Sequence, residues 1–184
     1  MYAGHLSTAL AMKATEPRTP TWALVVGVGF LDLLFGAFVP LGIEHVRMTP
    51  GHSPGFALEM IDWSHSLVMS LVWSGVFALA FIKRGKVVMA WCAAAVFSHF
   101  ALDFLMHPGD LALWPHSEAH TGLGLWTRLP VGWWFVELGY VLLCCAWYVT
   151  RARRSNNAFG GRAMAAAAAV VVLHVINSPW LAPT

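Results

Sequence analysis

Residues 87–106 read VVMAWCAAAVFSHFALDFLM, a twenty-residue stretch in which only His99 and Asp103 are of the Asp, Glu, Lys, Arg or His type. About 20 mainly apolar residues suffice to cross ~30 Å of hydrocarbon as a helix. The stretch therefore predicts a membrane-crossing helix with two polar groups inside it. Residues 21–43, 64–82 and 131–149 approach or meet the same requirement, and residues 163–180, rich in alanine and valine, form a fifth and slightly weaker candidate. Residues 2–12 are apolar enough for a helix but reach only about half the length needed to cross. That piece either lies on the surface or dips in as a half-helix. The expected fold is all-α: a polytopic membrane helical bundle of about five transmembrane helices plus a short N-terminal half-helix, forming a single integral membrane domain over residues 1–184.

Composition points the same way. Of 184 residues, 58% are hydrophobic and 11% charged, against the roughly 25% charged content of ordinary soluble domains. A formal charge of +2 is too small to imply a nucleic-acid partner, so the lipid bilayer is the expected environment and nucleic acid is not. Cys92, Cys144 and Cys145 all fall inside apolar runs without a CxxC pair, and they read as small packing residues rather than a disulfide framework. Lys13 and Arg18 follow only a short apolar stretch, and no cleaved signal peptide is expected.

Basic residues favour the cytoplasmic side of short loops. Lys13, Arg18, Lys83, Arg84, Lys86, Arg151, Arg153, Arg154 and Arg162 would all fall on one side of a five-span topology, while Arg47 and Arg128 alone fall on the other. The expected orientation has the N-terminal segment inside and the C-terminus outside. The two outer loops, residues 44–63 and 107–130, are long and rich in Pro, Gly and His. Their histidines at positions 45, 52, 116 and 120 read as solvated.

Ionisable groups inside a bilayer cost about 2.5–3.5 kcal/mol each on insertion scales, so each is a candidate for function. His99 and Asp103 stand four apart and share one helix face, and His107 continues the row one turn later. Imidazole with carboxylate suits Zn²⁺ and related divalent ions. At a rise of about 1.5 Å per residue, Asp32 falls about 16 Å above the inner boundary, His99 about 19 Å, Asp103 about 25 Å and His65 about 27 Å. On the same scale His5 reaches about 12 Å if its short helix dips in from Lys13. Ligand-type side chains from four segments can thus approach one patch in the middle-to-outer membrane. Asp32, Asp103 and Glu137 have no Lys or Arg within the spans to neutralise them. Either the carboxyls are protonated or a cation sits among them. His174, in the last span, reads as a packing residue.

The motifs GHLSTALAM around His5, GFLDLLFGAFVP around Asp32, WSHSL around His65 and SHFALDFLMHPGDLALWP after residue 97 resemble the bacterial membrane-bound metal-dependent hydrolase family, the YdjM-like group. That group is itself distantly similar to zinc-dependent phospholipases C and single-strand-specific zinc nucleases. The resemblance covers roughly residues 3–116. It implies that His5, Asp32, His65, His99 and Asp103 are metal ligands, with His107 beside them, in a protein of the bacterial inner membrane. The chain has FLD where the family shows a PDID-type motif, and DWSHS where the family shows an HRGxTHS-like run.

The sequence therefore leads to an enzyme: a divalent ion, zinc in the first instance, held between helices toward the outer leaflet for hydrolysis of an ester or phosphoester bond in an amphiphilic, lipid-type substrate. Glu137 or Asp62 is the expected general base. The competing expectation is a metal-ion or proton transporter or channel that uses the same His and Asp residues. A non-catalytic membrane scaffold subunit is the third.

Overall fold

A computed structural model describes residues 2–48, 56–155 and 157–181. Helices dominate it, as expected: α1 (Tyr2–Thr15), α2 (Thr21–Val28), α3 (Phe30–Phe38), α4 (Asp62–His65), α5 (Leu67–Leu79), α6 (Lys86–Met106), α7 (Leu125–Arg128), α8 (Gly132–Ser155) and α9 (Asn157–Ile176), with a 3₁₀ turn at Ile82–Arg84. Two small antiparallel hairpins interrupt them. Strands β1 (His45–Met48) and β2 (Phe56–Met60) pair with an irregularity between His45 and Val46, and β3 (Leu111–Ala112) pairs with β4 (His120–Thr121).

The expectation of five uninterrupted spans is revised in three places, one being the fifth candidate, whose apolar helix over Gly160–Ile176 does not reach the length of a crossing among the described residues. Among the described residues, α6 and α8 are each long and apolar enough to cross a membrane, and α2 with α3 makes a third only if that pair, bent by 52° around Gly29, counts as one span. The 64–82 segment is broken at Ser66, whose extended backbone (φ −69°, ψ 155°) separates α4 from α5 and whose hydroxyl accepts from the Met69 N–H. Thirteen residues of α5 then rise only about 20 Å. Hydropathy counts apolar side chains and is blind to such breaks, which are set by backbone and capping chemistry.

The N-terminal segment is no surface helix. Ala3, His5, Ser7, Thr8, Ala9, Leu10 and Ala14 are all buried, and α1 packs against α2, α6, α8 and α9. Small residues make this possible, because they let helix backbones approach closely. Ala9 meets Leu24, Val28 and Ala95, while Ala3 and Leu10 join Val141, Cys145, Ala167 and Val170. Beside this cluster, a Cβ at Gly27 would stand 2.8 Å from the Ala95 Cβ, so α2 and α6 touch where a side chain would not fit. The outward sides of α5, α8 and α9 expose Leu71, Val76, Leu79, Leu142, Leu143 and Ile176. So much outward apolar surface is unusual for a monomer in water and compatible with lipid contact.

Candidate metal centre

His99 comes from the buried face of α6. Its Nδ1 lies 2.7 Å from the carbonyl of Val28, the last residue of α2 before the bend at Gly29. A carbonyl can only accept, so Nδ1 carries the hydrogen, and in the neutral imidazole Nε2 is left with its lone pair.

His65 closes α4 and reaches the same state by a longer route. Its Nδ1 lies 2.7 Å from the Ser64 Oγ. That hydroxyl lies 2.8 Å from both carboxylate oxygens of Glu44, and the Ser64 backbone N–H donates to Glu44 Oε1 at 2.7 Å. A carboxylate accepts only, so the serine hydrogen points to Glu44. The hydroxyl oxygen then receives the His65 Nδ1 hydrogen, and His65 Nε2 also keeps its lone pair.

These two Nε2 atoms face each other at 3.3 Å. Around them stand the carboxylates. Asp103 Oδ2 is 3.1 Å from His99 Nε2 and 3.9 Å from His65 Nε2, and Asp32 Oδ1 is 3.6 Å and 3.5 Å from the same two atoms. His5 brings Nε2 to 3.3 Å from Asp103 Oδ1 and stacks its ring on that of His99, centroids 3.9 Å apart and planes 4° from parallel. Its Nδ1 is buried without a partner. Two overlapping groups result, His5 with His99 and Asp103, and Asp32 with His65 and His99. Within each group the ligand atoms lie within 4.8 Å of one another.

Facing lone pairs and carboxylates repel unless something positive lies among them. Bonds of 2.0–2.1 Å in tetrahedral geometry put neighbouring ligand atoms about 3.3 Å apart, close to the 3.1–3.6 Å found between most members of the second group and Asp103. Imidazole nitrogen with carboxylate oxygen is also a donor set that suits divalent metals. The residues therefore fit a metal ion.

Five of the candidates drawn from the sequence, His5, Asp32, His65, His99 and Asp103, meet here. Three others do not. α6 ends at Met106, so His107 has extended backbone (φ −68°, ψ 142°) and leaves the helical row. Its Nδ1 pairs with Asp110 Oδ1 at 2.9 Å and its ring lies against Trp126. Asp62 does not join the group: its Oδ2 accepts from the backbone N–H of His116 at 2.9 Å, holding a residue with φ of 60°. Glu137 is buried at the α1–α8 contact, where its Oε1 accepts from the Gly4 N–H at 3.0 Å. Gly4 lies in the first turn of α1, whose free N–H groups seek acceptors, so Glu137 anchors the helix that carries His5. Of the loop histidines, His45, His116 and His120 are exposed, and His52 lies outside the described residues.

A cavity of about 350 Å³ adjoins the cluster, lined by Tyr2, His5, Leu6, Val28, Asp32, Leu173 and neighbouring residues. Asp32, with 41% of its side chain exposed, is the carboxylate that looks into it. The walls are mainly apolar.

Sequence reasoning missed Glu44, Ser64 and the Val28 carbonyl. Ser64 directly precedes His65 in WSHSL, and a hydroxyl beside a candidate ligand was a usable signal. Glu44 gave none. It follows the first apolar run and read as loop, yet it is 1% exposed. In comparisons with known proteins, the chain matches no family model, no curated protein and no solved structure.

Proposed function

We propose that this chain is a membrane-embedded, metal-dependent hydrolase of the kind its motifs resemble, acting on an ester or phosphoester bond of an amphiphilic, lipid-type substrate. In this reading the bundle makes five crossings in the bacterial inner membrane, with the broken α2–α3 and α4–α5 pairs each serving as one, the N-terminus inside and the C-terminus outside. The observation that carries the reading is the pair of Nε2 atoms of His65 and His99, 3.3 Å apart beside two carboxylates, with no Lys or Arg ion pair to these carboxylates among the described residues.

His65, His99, Asp32, Asp103 and His5 would hold the ion, and zinc suits that donor set. A bound divalent ion supplies Lewis-acid polarisation of an ester or phosphoester oxygen. The chain supplies the rest. Val28 and Ser64 fix the two imidazoles, Glu137 ties down α1 and with it His5, and the apolar walls of Leu6, Val28 and Leu173 suit the aliphatic part of a lipid beside Asp32. Glu137 and Asp62 hold backbone N–H groups elsewhere, so neither is placed to take a proton beside the ion, and Asp32 is the ligand carboxylate that faces the cavity.

Elemental analysis of the purified chain, wild type beside Asp103→Ala, tests this together with a phosphoester and lipid panel run with and without chelator. About one or two zinc ions per chain, lost in the variant, and chelator-sensitive hydrolysis are expected. Equal metal content in both proteins removes the reading. Metal that is bound while every substrate stays intact moves it to the transport alternative.

A further inference from the structure

We infer that Glu44, although none of its described hydrogen bonds reaches the five clustered ligands, is a positioning residue for the metal centre: through Ser64 it holds His65 in the tautomer that aims a lone pair at the other ligands. The inference rests on the metal-binding reading above. Glu44 is buried to 1% exposure, directly before β1. All three of its described hydrogen bonds run to one residue, from the backbone N–H and the hydroxyl of Ser64.

A carboxylate this enclosed could simply cap α4, whose first-turn N–H groups include that of Ser64. The geometry carries more than a cap, because the same carboxylate dictates where the Ser64 hydrogen goes. With both oxygens of Glu44 at 2.8 Å from Ser64 Oγ, the hydroxyl must donate to Glu44 and accept from His65 Nδ1. Reverse the hydroxyl and the His65 proton moves to Nε2. The imidazole would then present N–H to His99 Nε2, 3.3 Å away, and would no longer be a ligand. Partners of this kind, one bond removed from a ligand histidine, fix ring tautomer and orientation, and their loss lowers metal affinity about 10- to 100-fold.

Glu44→Gln separates the two roles. Its amide oxygen still accepts from the Ser64 N–H, so α4 stays capped. Its NH₂ donates to the Ser64 hydroxyl, which is then free to donate to His65 Nδ1. The full chain, labelled with ¹⁵N-histidine and held in detergent micelles without metal, reports the His65 tautomer by NMR, and zinc competition against a chelator reports affinity. The wild type is expected to carry the His65 hydrogen on Nδ1. Glu44→Gln is expected to shift it to Nε2 and weaken zinc binding by about 10- to 100-fold with the melting temperature nearly unchanged. Ser64→Thr, which keeps the hydroxyl, should restore both readouts relative to Ser64→Ala.

A Glu44→Gln protein with wild-type tautomer overturns the inference, whether its zinc affinity is intact or falls only in step with unfolding. The tautomer is read without metal, so it judges Glu44 even if the wild type binds no zinc. That second result would defeat the proposed function instead.

Discussion

Among the described residues, two places bury a histidine with a carboxylate, and they differ in how their lone pairs are used. At the α8–α9 contact, His174 Nε2 donates to the Trp134 carbonyl at 3.1 Å, its ring stacks on Trp134, and Glu137 accepts from the Gly4 N–H. One imidazole and one carboxylate remain 3.9 Å apart, which is too few ligands to hold an ion. At the α6 cluster, His65 and His99 have their Nδ1 hydrogens taken by Ser64 and Val28, so the free lone pairs converge with those of Asp32 and Asp103. Burial of an ionisable group inside apolar helices is thus common to a fastening and to a candidate site. What separates them is whether neighbouring acceptors outnumber donors.

The strongest way to break that contrast is to delete one histidine from each place. His99→Ala should empty the metal centre and abolish any chelator-sensitive hydrolysis. His174→Ala should keep full metal content by elemental analysis while lowering the melting temperature in detergent, because it removes a stacked ring and a buried hydrogen bond. Equal metal loss in both would erase the distinction.

Next in size is Glu137→Ala, which leaves the buried Gly4 N–H unpaired at a cost of about 1–3 kcal/mol. Denaturant titration should show that loss with metal stoichiometry unchanged. A Glu137→Ala protein of normal stability but without metal would move Glu137 into the centre itself.

Gly27→Ala sharpens the comparison from the packing side. The new methyl would lie 2.8 Å from Ala95 Cβ, and overpacking of this type costs about 1–3 kcal/mol, offset by about 1 kcal/mol of helix propensity. A net loss of about 1 kcal/mol is expected, with weakened zinc binding, because α2 carries the Val28 carbonyl that orients His99. Unchanged affinity would show that His99 does not depend on Val28.

The smallest effect lies at the loop between α1 and α2. Side-chain hydrogen bonds from Arg18, and then its backbone N–H, hold the partly buried Glu16 carboxyl down to about 2. A depressed carboxyl contributes stability above its unfolded value, about 4.3, and loses it as pH falls toward 2. The melting difference between wild type and Glu16→Gln should therefore be small and constant from pH 7 to about pH 5, then shrink on acidification. A difference that grows on acidification contradicts the assignment.

How much of this was readable beforehand varies with the kind of interaction involved. The 87–106 run gave α6 nearly to the residue, since α6 spans Lys86–Met106 and uniform apolarity without Gly or Pro leaves a helix nothing to break it. The HxxxD spacing placed His99 and Asp103 on one face, because i and i+4 neighbours coincide on any α-helix. Extending the row to His107 failed where the helix stopped. Glu137 looked unneutralised because a sequence displays charges and conceals backbone donors such as the Gly4 N–H.

Composition and helical period, both local properties, were enough to determine an all-helical, strongly apolar chain with a handful of His and Asp residues able to meet at one depth. Only the tertiary structure decided which of them do meet, which carboxylates are tied to backbone N–H groups, and that Glu44 stands behind His65. Those outcomes depend on bends at Gly29 and Ser66 and on contacts between residues up to 133 positions apart, and hydrogen-bond partners at such separations leave no mark on the local pattern of residues.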